Sequence, residues 1–285
     1  MVTEIVVGID GTVASASALT WARMIADRLS ARLVVVGVVD VDIASVMSAE
    51  YTEAHARAVE SLLDDAKAAT TGTVVETRRA FGRVVSELVA QAKDASVLVV
   101  GSDKTGVISG IIHGTIPLKV ADSTESPLVV VPAAWKESLG PIVVGVDDTT
   151  DNAAITFAAE MARALTTDLL LVNVWGVAPL VFADPLQLKR LTAELRAAGR
   201  LVLDTVHAEL ANSHPSVVVT KQLVEGDPSV GVLTTVRATA GTRLVVVGTR
   251  RLSPLSSLLL GSVGHDLLMN MPCPVAIVPP TRKEL

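Results

Sequence analysis

Short apolar runs rich in β-branched residues alternate along this chain with segments whose apolar positions recur at helical spacing. In the first half, Ile5 to Ile9, Leu33 to Val39, Thr73 to Arg79, Val97 to Val100 and Leu128 to Val131 have the length and composition of buried strands. Between the first two, Ala18, Trp21, Ala22, Ile25 and Leu29 form one apolar face, and Glu50 to Ala69 and Val84 to Ala92 predict two further helices. The second half keeps the order, with strands predicted near Ile142 to Val146, Leu169 to Trp175, Val217 to Leu223, Leu244 to Val247 and Val275 to Val278. A stripe of Leu188, Leu191, Leu195, Ala198, Val202 and Val206 predicts a long helix, and Asp227 with Pro228 supplies an N-cap and first-turn proline for the next. Such alternation requires right-handed crossovers and a parallel sheet. The expected fold is α/β: two tandem doubly wound domains, each a five-stranded parallel sheet flanked by helices.

The two halves are copies of one another. IVVGIDGT, from Ile5 to Thr12, returns as IVVGVDDT from Ile142 to Thr149. A glycine-punctuated loop comes late in each copy, GSDKTGVISGIIHGT from Gly101 to Thr115 and GTRRLSPLSSLLLGS from Gly248 to Ser262. A repeat this long marks a duplicated domain, so an ancestral site should appear twice. PAAWKESLGP, from Pro132 to Pro141, reads as the connection, which places the first domain at 1–134, the linker at 135–141 and the second domain at 142–285. The second copy has gained residues around Pro179 to Pro185 and in the following helix, a place for a lid or partner contact. Trp21 and Phe157 hold equivalent helix positions and are expected in the core. The segments SPLVVVP and CPVAIVP would be apolar sheet edges if left unpaired, so the halves are expected to pack as a pseudo-dimer through their fifth strands.

Composition narrows the function classes. Of 285 residues, 50% are hydrophobic but only 2% aromatic, so the interior must be built from Val, Leu, Ile and Ala, which suits buried parallel strands. A net charge of −6 gives no general attraction for nucleic acid or anionic membrane. MVTEIVVGID lacks the basic-then-apolar pattern of a secretory signal, and no apolar run reaches bilayer-spanning length. Cytoplasmic residence without membrane insertion is expected. Cys273 is the only cysteine, which excludes an intramolecular disulfide and a cysteine metal cage. Between Pro272 and Pro274 it reads as a small packed residue. His55, His207, His214 and His265 lack metal-site spacing, and His113 has Leu260 as its counterpart, which argues against a catalytic role.

The recurrent polar and glycine positions fall at the carboxyl ends of the predicted strands, where ligands bind in open α/β sheets. Asp10 and Asp147 end the first strands, and Gly101 and Gly248 end the fourth. The late loops lead to Gly114-Thr115 and Gly261-Ser262 and then to a short helix, with Pro117 in its first turn in one copy. Exposed backbone amides, a hydroxyl and a helix N-terminus make an anion site, with phosphate the leading candidate. Blander readings exist: Asp10 alone suits an N-cap or turn former, and Gly114 and Gly261 suit tight turns.

This arrangement resembles the universal stress protein family in its tandem form, over nearly the whole chain. Nucleotide-binding members carry a glycine, two residues, a second glycine, nine residues, then glycine and Ser or Thr, which hold the phosphates and ribose of ATP. The match falls at Gly101, Gly114 and Thr115, and again at Gly248, Gly261 and Ser262. The resemblance implies that Asp10 and Val38, then Asp147 and Val174, border adenine. It also brings the neighbouring Ser102, Lys104 and Ile116, and Thr249, Arg251 and Val263, into the sites. The implied architecture is Rossmann-like, of the adenine nucleotide alpha hydrolase-like kind, and the implied ligand is ATP, with or without Mg2+. Both copies depart at the second glycine, where Lys104 and Arg251 stand. If that position needs φ > 0, a side chain costs about 1–2 kcal/mol. If the backbone merely approaches phosphate, a cation returns about 1.5–3 kcal/mol. Arg250 reinforces the cation of the second copy whereas Asp103 offsets Lys104, so the second site is expected to be the tighter one.

Other nucleotide folds fail locally. GIDGT and GVDDT lack G-x-G-x-x-G, no GxxxxGK[ST] occurs, and the SGGxDS-like turn of adenylating enzymes is absent. No base, nucleophile or metal cluster stands out, so a dedicated enzyme is the weaker class, with at most slow incidental ATP hydrolysis expected. Two readings follow: an adenine-nucleotide-binding regulator of the stress response, or an interaction module of the same fold with decayed sites. A homodimer of tandem chains is expected in either case.

Overall fold

Each apolar run of the sequence becomes a strand and each periodic segment a helix. The computed structural model describes residues 2–40, 49–70, 75–103, 115–176, 184–249 and 260–281. The first repeat runs β1 (Glu4–Ile9), α1 (Val13–Leu29), β2 (Arg32–Asp40), α2 (Ala49–Ala69), β3 (Val75–Gly82), α3 (Val84–Gln91), β4 (Val97–Ser102), α4 (Thr115–Ser123) and β5 (Leu128–Pro132). The second runs β6 (Ile142–Gly145), α5 (Asn152–Leu165), β7 (Leu169–Trp175), α6 (Pro185–Ser213), β8 (Val219–Glu225), α7 (Pro228–Ala238), β9 (Leu244–Gly248), α8 (Ser262–Asn270) and β10 (Val275–Val278).

Within each repeat the five strands are parallel, in the orders β3-β2-β1-β4-β5 and β10-β9-β6-β7-β8. The two fifth strands pair antiparallel, Val275 opposite Val130 and Ile277 opposite Leu128, so ten strands form one sheet. The apolar edges of both repeats thus satisfy each other. The outer edges fall to β3 and β8, which carry charge. Arg78 donates to Glu76 at 2.6 Å, and Lys221 pairs with Asp204 of α6 at 2.6 Å. Charged side chains on an exposed edge discourage further strand addition.

Alternation along the strands sends neighbouring residues to opposite faces. Ile5, Val7, Leu33 and Val35 join the core beneath α1, α2, α5 and α6, whereas Val6, Val34 and Val36 join the one beneath α3, α4, α7 and α8. Both cores run through the two repeats without interruption. Trp21 is 1% exposed and Phe157 equally belongs to the first core, as their periodicity predicts. Truncating a buried aromatic of this kind typically costs about 3–5 kcal/mol. Helix ends follow local chemistry: Asp227 accepts from the amides of Ser229 and Val230 at 2.9 and 3.2 Å, with Pro228 in the first turn. Cys273 is buried, and desolvation pushes its thiol up to about 12, as suits a packing residue.

Some boundaries shift. Pairing sets β8 at Val219–Glu225 rather than Val217–Leu223, because its ladder with β7 runs from Leu169 opposite Val219 to Trp175 opposite Glu225. β3 begins at Val75 and continues to Gly82, while Thr73 and Val74 lie outside the described residues. The buried face of α6 also differs from the expected stripe. Ala198 is exposed, no residue from 186 to 198 is buried, and the helix closes on the sheet through Gly199, Leu203, Val206 and Leu210. The approach is closest at Gly199, where a β-carbon would stand 2.5 Å from Oδ1 of Asn173 on β7. With 29 residues against 21 in α2, α6 accounts for part of the extra length of the second repeat, and residues 177–183 lie outside the described set.

Candidate functional site

The carboxyl ends of β1, β2 and β4 open onto a cleft of about 380 Å³. Asp10, Val38, Gly101, Ser102 and Ile116, all selected from the sequence, line it together. Val36, Val84, Leu88 and Val100 provide an apolar wall that the sequence reading did not assign. The wall could have been found from the alternation in β2 and β4, since Val36 and Val38 must share a face.

The turn after β1 is built by short polar side chains. Asp10 Oδ1 accepts from the Thr12 amide at 3.0 Å and the Thr12 hydroxyl at 2.7 Å. Thr12, not Asp10, caps α1, its Oγ1 accepting from the Ser15 amide at 3.1 Å. Gly11 supplies the left-handed turn at φ 82°. Only one carboxylate oxygen of Asp10 is engaged by these bonds, which leaves Oδ2 as an acceptor beside the cleft. The first turn of α1 lies directly over Gly101, where a β-carbon would collide with the backbone of Ala14 and stand 2.6 Å from the Ser15 amide nitrogen. Lys104, Gly114 and His113 lie outside the described residues, and Thr115 begins α4. Ile116 and Pro117, in the first turn of that helix, border the cleft.

The second repeat arranges the same positions differently. Asp147 Oδ1 accepts from the Thr149 amide at 2.9 Å, the Thr149 hydroxyl at 2.8 Å and the Thr150 hydroxyl at 2.9 Å. The helix starts later, capped by Asp151, so its first turn does not press on the fourth strand. A β-carbon on Gly248 would meet nothing nearer than the Ala154 β-carbon at 3.6 Å. Asn173 donates from Nδ2 to the Val146 carbonyl at 2.8 Å, and β6 ends at Gly145, one residue short of the expected strand end. The amide therefore ties the backbone just before Asp147 to β7. Val174 is held by α7 through Gly231, where a β-carbon would stand 2.7 Å from Val174 Cγ1.

Three features of the second site lack an internal structural purpose. Thr249 is 7% exposed, yet its buried hydroxyl has no hydrogen-bond partner among the described residues, although burying an unpaired hydroxyl is costly. Gly261 precedes α8 with φ −64° and ψ 163°, so it needs no left-handed freedom, and a β-carbon there would meet nothing within 4 Å among the described residues. It caps α8 without a side chain, and Ser262 and Val263 follow as its first residues, so no side-chain cap satisfies the helix N-terminus among the described residues. These angles show only that Gly261 is not kept for a positive φ. Arg250 and Arg251 lie outside the described residues.

No three His, Cys, Asp or Glu side chains gather as a metal-ligating group among the described residues. Among the same residues, no helix is long and apolar enough to cross a membrane.

The chain resembles proteins already known. The model of the universal stress protein family matches residues 1–132 and again 139–279. A universal stress protein of Mycolicibacterium smegmatis is 25% identical over 97% of both chains. One from Mycobacterium tuberculosis strain H37Rv is 26% identical over 96% of both. Among solved structures, a universal stress protein from Archaeoglobus fulgidus superposes with a TM-score of 0.70 over 98% of both chains at 16% identity, which speaks for the fold. Two successive family matches cover almost every residue, and the chain belongs to the universal stress protein family in its tandem two-domain form.

Proposed function

We propose that this protein binds adenine nucleotide, ATP with or without Mg2+, at the carboxyl ends of both half-sheets, and acts as a regulator of the stress response. The observation that carries this reading is the cleft of about 380 Å³ around Asp10, Val38, Gly101, Ser102 and Ile116, five positions that the family resemblance selects. An apolar wall with a few convergent polar groups is the usual composition of a small-molecule site. Val38 and its neighbours offer a surface for a flat base, and Asp10 Oδ2 an acceptor for an amine on its edge.

In the second repeat the matching roles fall to Asp147 and Val174 for the base. Gly248, Thr249, Gly261, Ser262 and Val263 serve the ribose and phosphates. A ligand would explain why, among the described residues, the Thr249 hydroxyl has no partner and Gly261 no neighbour within 4 Å of a β-carbon. Lys104 and Arg251 would add cations to the phosphate end. Occupancy regulates only if ATP binds one conformational state of the late loops better than another. The reading is of a cytoplasmic binding protein rather than a dedicated enzyme, with domains at 1–134 and 142–285.

A homodimer of tandem chains belongs to the same proposal, with a constraint: β5 and β10 already pair with each other, so a second chain must dock elsewhere. Substituting Asp147 and assaying both nucleotide occupancy and stress survival tests the regulator reading. Lost occupancy with unchanged survival would favour an interaction module that works through its surfaces alone.

A further inference from the structure

Leu260, which leads into α8 of the second repeat, is bonded to a residue of the first. Asp122, on α4, accepts from the backbone amide of Leu260 through Oδ1 at 3.4 Å. Leu260 immediately precedes Gly261, whose own lack of a side chain leaves α8 without an internal cap. The Leu260 side chain packs onto the next turn, since a β-carbon on Gly264 would stand 2.7 Å from its Cδ1. Residue 260 is thus fixed on one side by α8 and on the other by a carboxylate from the opposite repeat. Met269 stands on α8 at the position that Asp122 holds on α4.

We infer that Asp122 is a positioning residue for the second nucleotide site, fixing the backbone that leads into Gly261 and Ser262, so that this site is completed only in the tandem chain. The inference rests on the proposed nucleotide function for its effect on binding, but the contact itself does not need a ligand. Amides aimed at an anion work best when their geometry is set before the ligand arrives, and a loop held from one side only must be ordered on binding.

The test uses the full-length chain with Asp122→Ala and Asp122→Asn. Asparagine keeps an oxygen acceptor and removes the charge, whereas alanine removes both. Without ligand, amide exchange at Leu260 is expected to accelerate roughly fivefold in the alanine variant, the scale of one modest hydrogen bond, and to stay near wild type with asparagine. In an ATP titration the alanine variant should weaken one of two binding constants by a similar factor and leave the other unchanged. Unchanged Leu260 exchange in the alanine variant overturns the contact. Faster exchange with both ATP constants intact overturns the positioning role. A wild-type chain that binds no ATP sinks the nucleotide reading, and with it any role of Asp122 in binding.

Discussion

A β-carbon on Gly101 would lie 2.6 Å from the amide nitrogen of Ser15, because the first turn of α1 crosses directly over the end of β4. At Gly248 the nearest atom would be 3.6 Å away, since Asp151 starts the corresponding helix later. Two glycines at the same motif position therefore do different jobs. Gly101→Ala should lower unfolding free energy by about 1–3 kcal/mol through overpacking against backbone. Gly248→Ala should stay within about 0.5 kcal/mol of wild type. Urea denaturation of the two variants checks this, and equal losses would contradict it.

Gly37 and Asn173 occupy equivalent places before Val38 and Val174, and each is matched by its helix. Gly37 receives Val59 of α2, which a β-carbon would meet at 2.6 Å, whereas Asn173 faces Gly199 of α6. Volume has moved from helix to strand between the copies. Gly199→Ala should destabilise by about 1–3 kcal/mol. Adding Asn173→Gly should recover part of that loss, with a coupling energy of roughly 0.5–3 kcal/mol in a double-mutant cycle. Strict additivity would show that the two residues do not oppose each other.

This pair also marks where the sequence stops being readable. The strands were legible because runs such as Leu33 to Val39 are buried on both faces and need no partner to be recognised. The stripe of α6 was legible only in part: Val202 and Val206 pack on the core, but Leu188 and Ala198 are exposed, and Gly199, which packs against Asn173, gives no apolar signal. The same division holds at the site. Comparing the copies brought out Asp10, Gly101, Gly248 and Gly261, since glycines and strand-ending aspartates stand out in a repeat. Asp122 and the wall residues Val84 and Leu88 did not stand out, because a helix carboxylate or a valine looks ordinary until the fold places it.

Cys273 ionises with difficulty, its thiol pushed up to about 12 by burial against an ordinary value of 9.0. The unfolded chain therefore releases this proton at lower pH than the folded one. Below pH 9 the thiol is protonated in both states and stability does not depend on it. Above that, stability falls by up to about 1.4 kcal/mol per pH unit until the folded thiol also ionises. Cys273→Ala should show a correspondingly shallower loss between pH 9 and 12, and iodoacetamide should label the native wild type far more slowly than the unfolded chain. Matching alkaline profiles for the two proteins would rule out the effect.

Gly261 offers a way to perturb binding without perturbing the fold. Its dihedral angles suit alanine and no described atom lies within 4 Å of a β-carbon there, so Gly261→Ala should cost no more than about 1 kcal/mol, the difference between a glycine and an alanine N-cap. ATP affinity at the second site should nonetheless drop, because the methyl group obstructs approach to the helix N-terminus. Calorimetric titration beside a thermal melt reads both quantities. Full affinity in the variant would remove Gly261 from the site.

The central claim is that one chain carries two adenine-nucleotide sites, and native mass spectrometry of the intact protein with and without MgATP counts them directly. The account predicts two nucleotides per chain. No bound nucleotide at millimolar ATP would contradict it and leave a protein that acts through its surfaces.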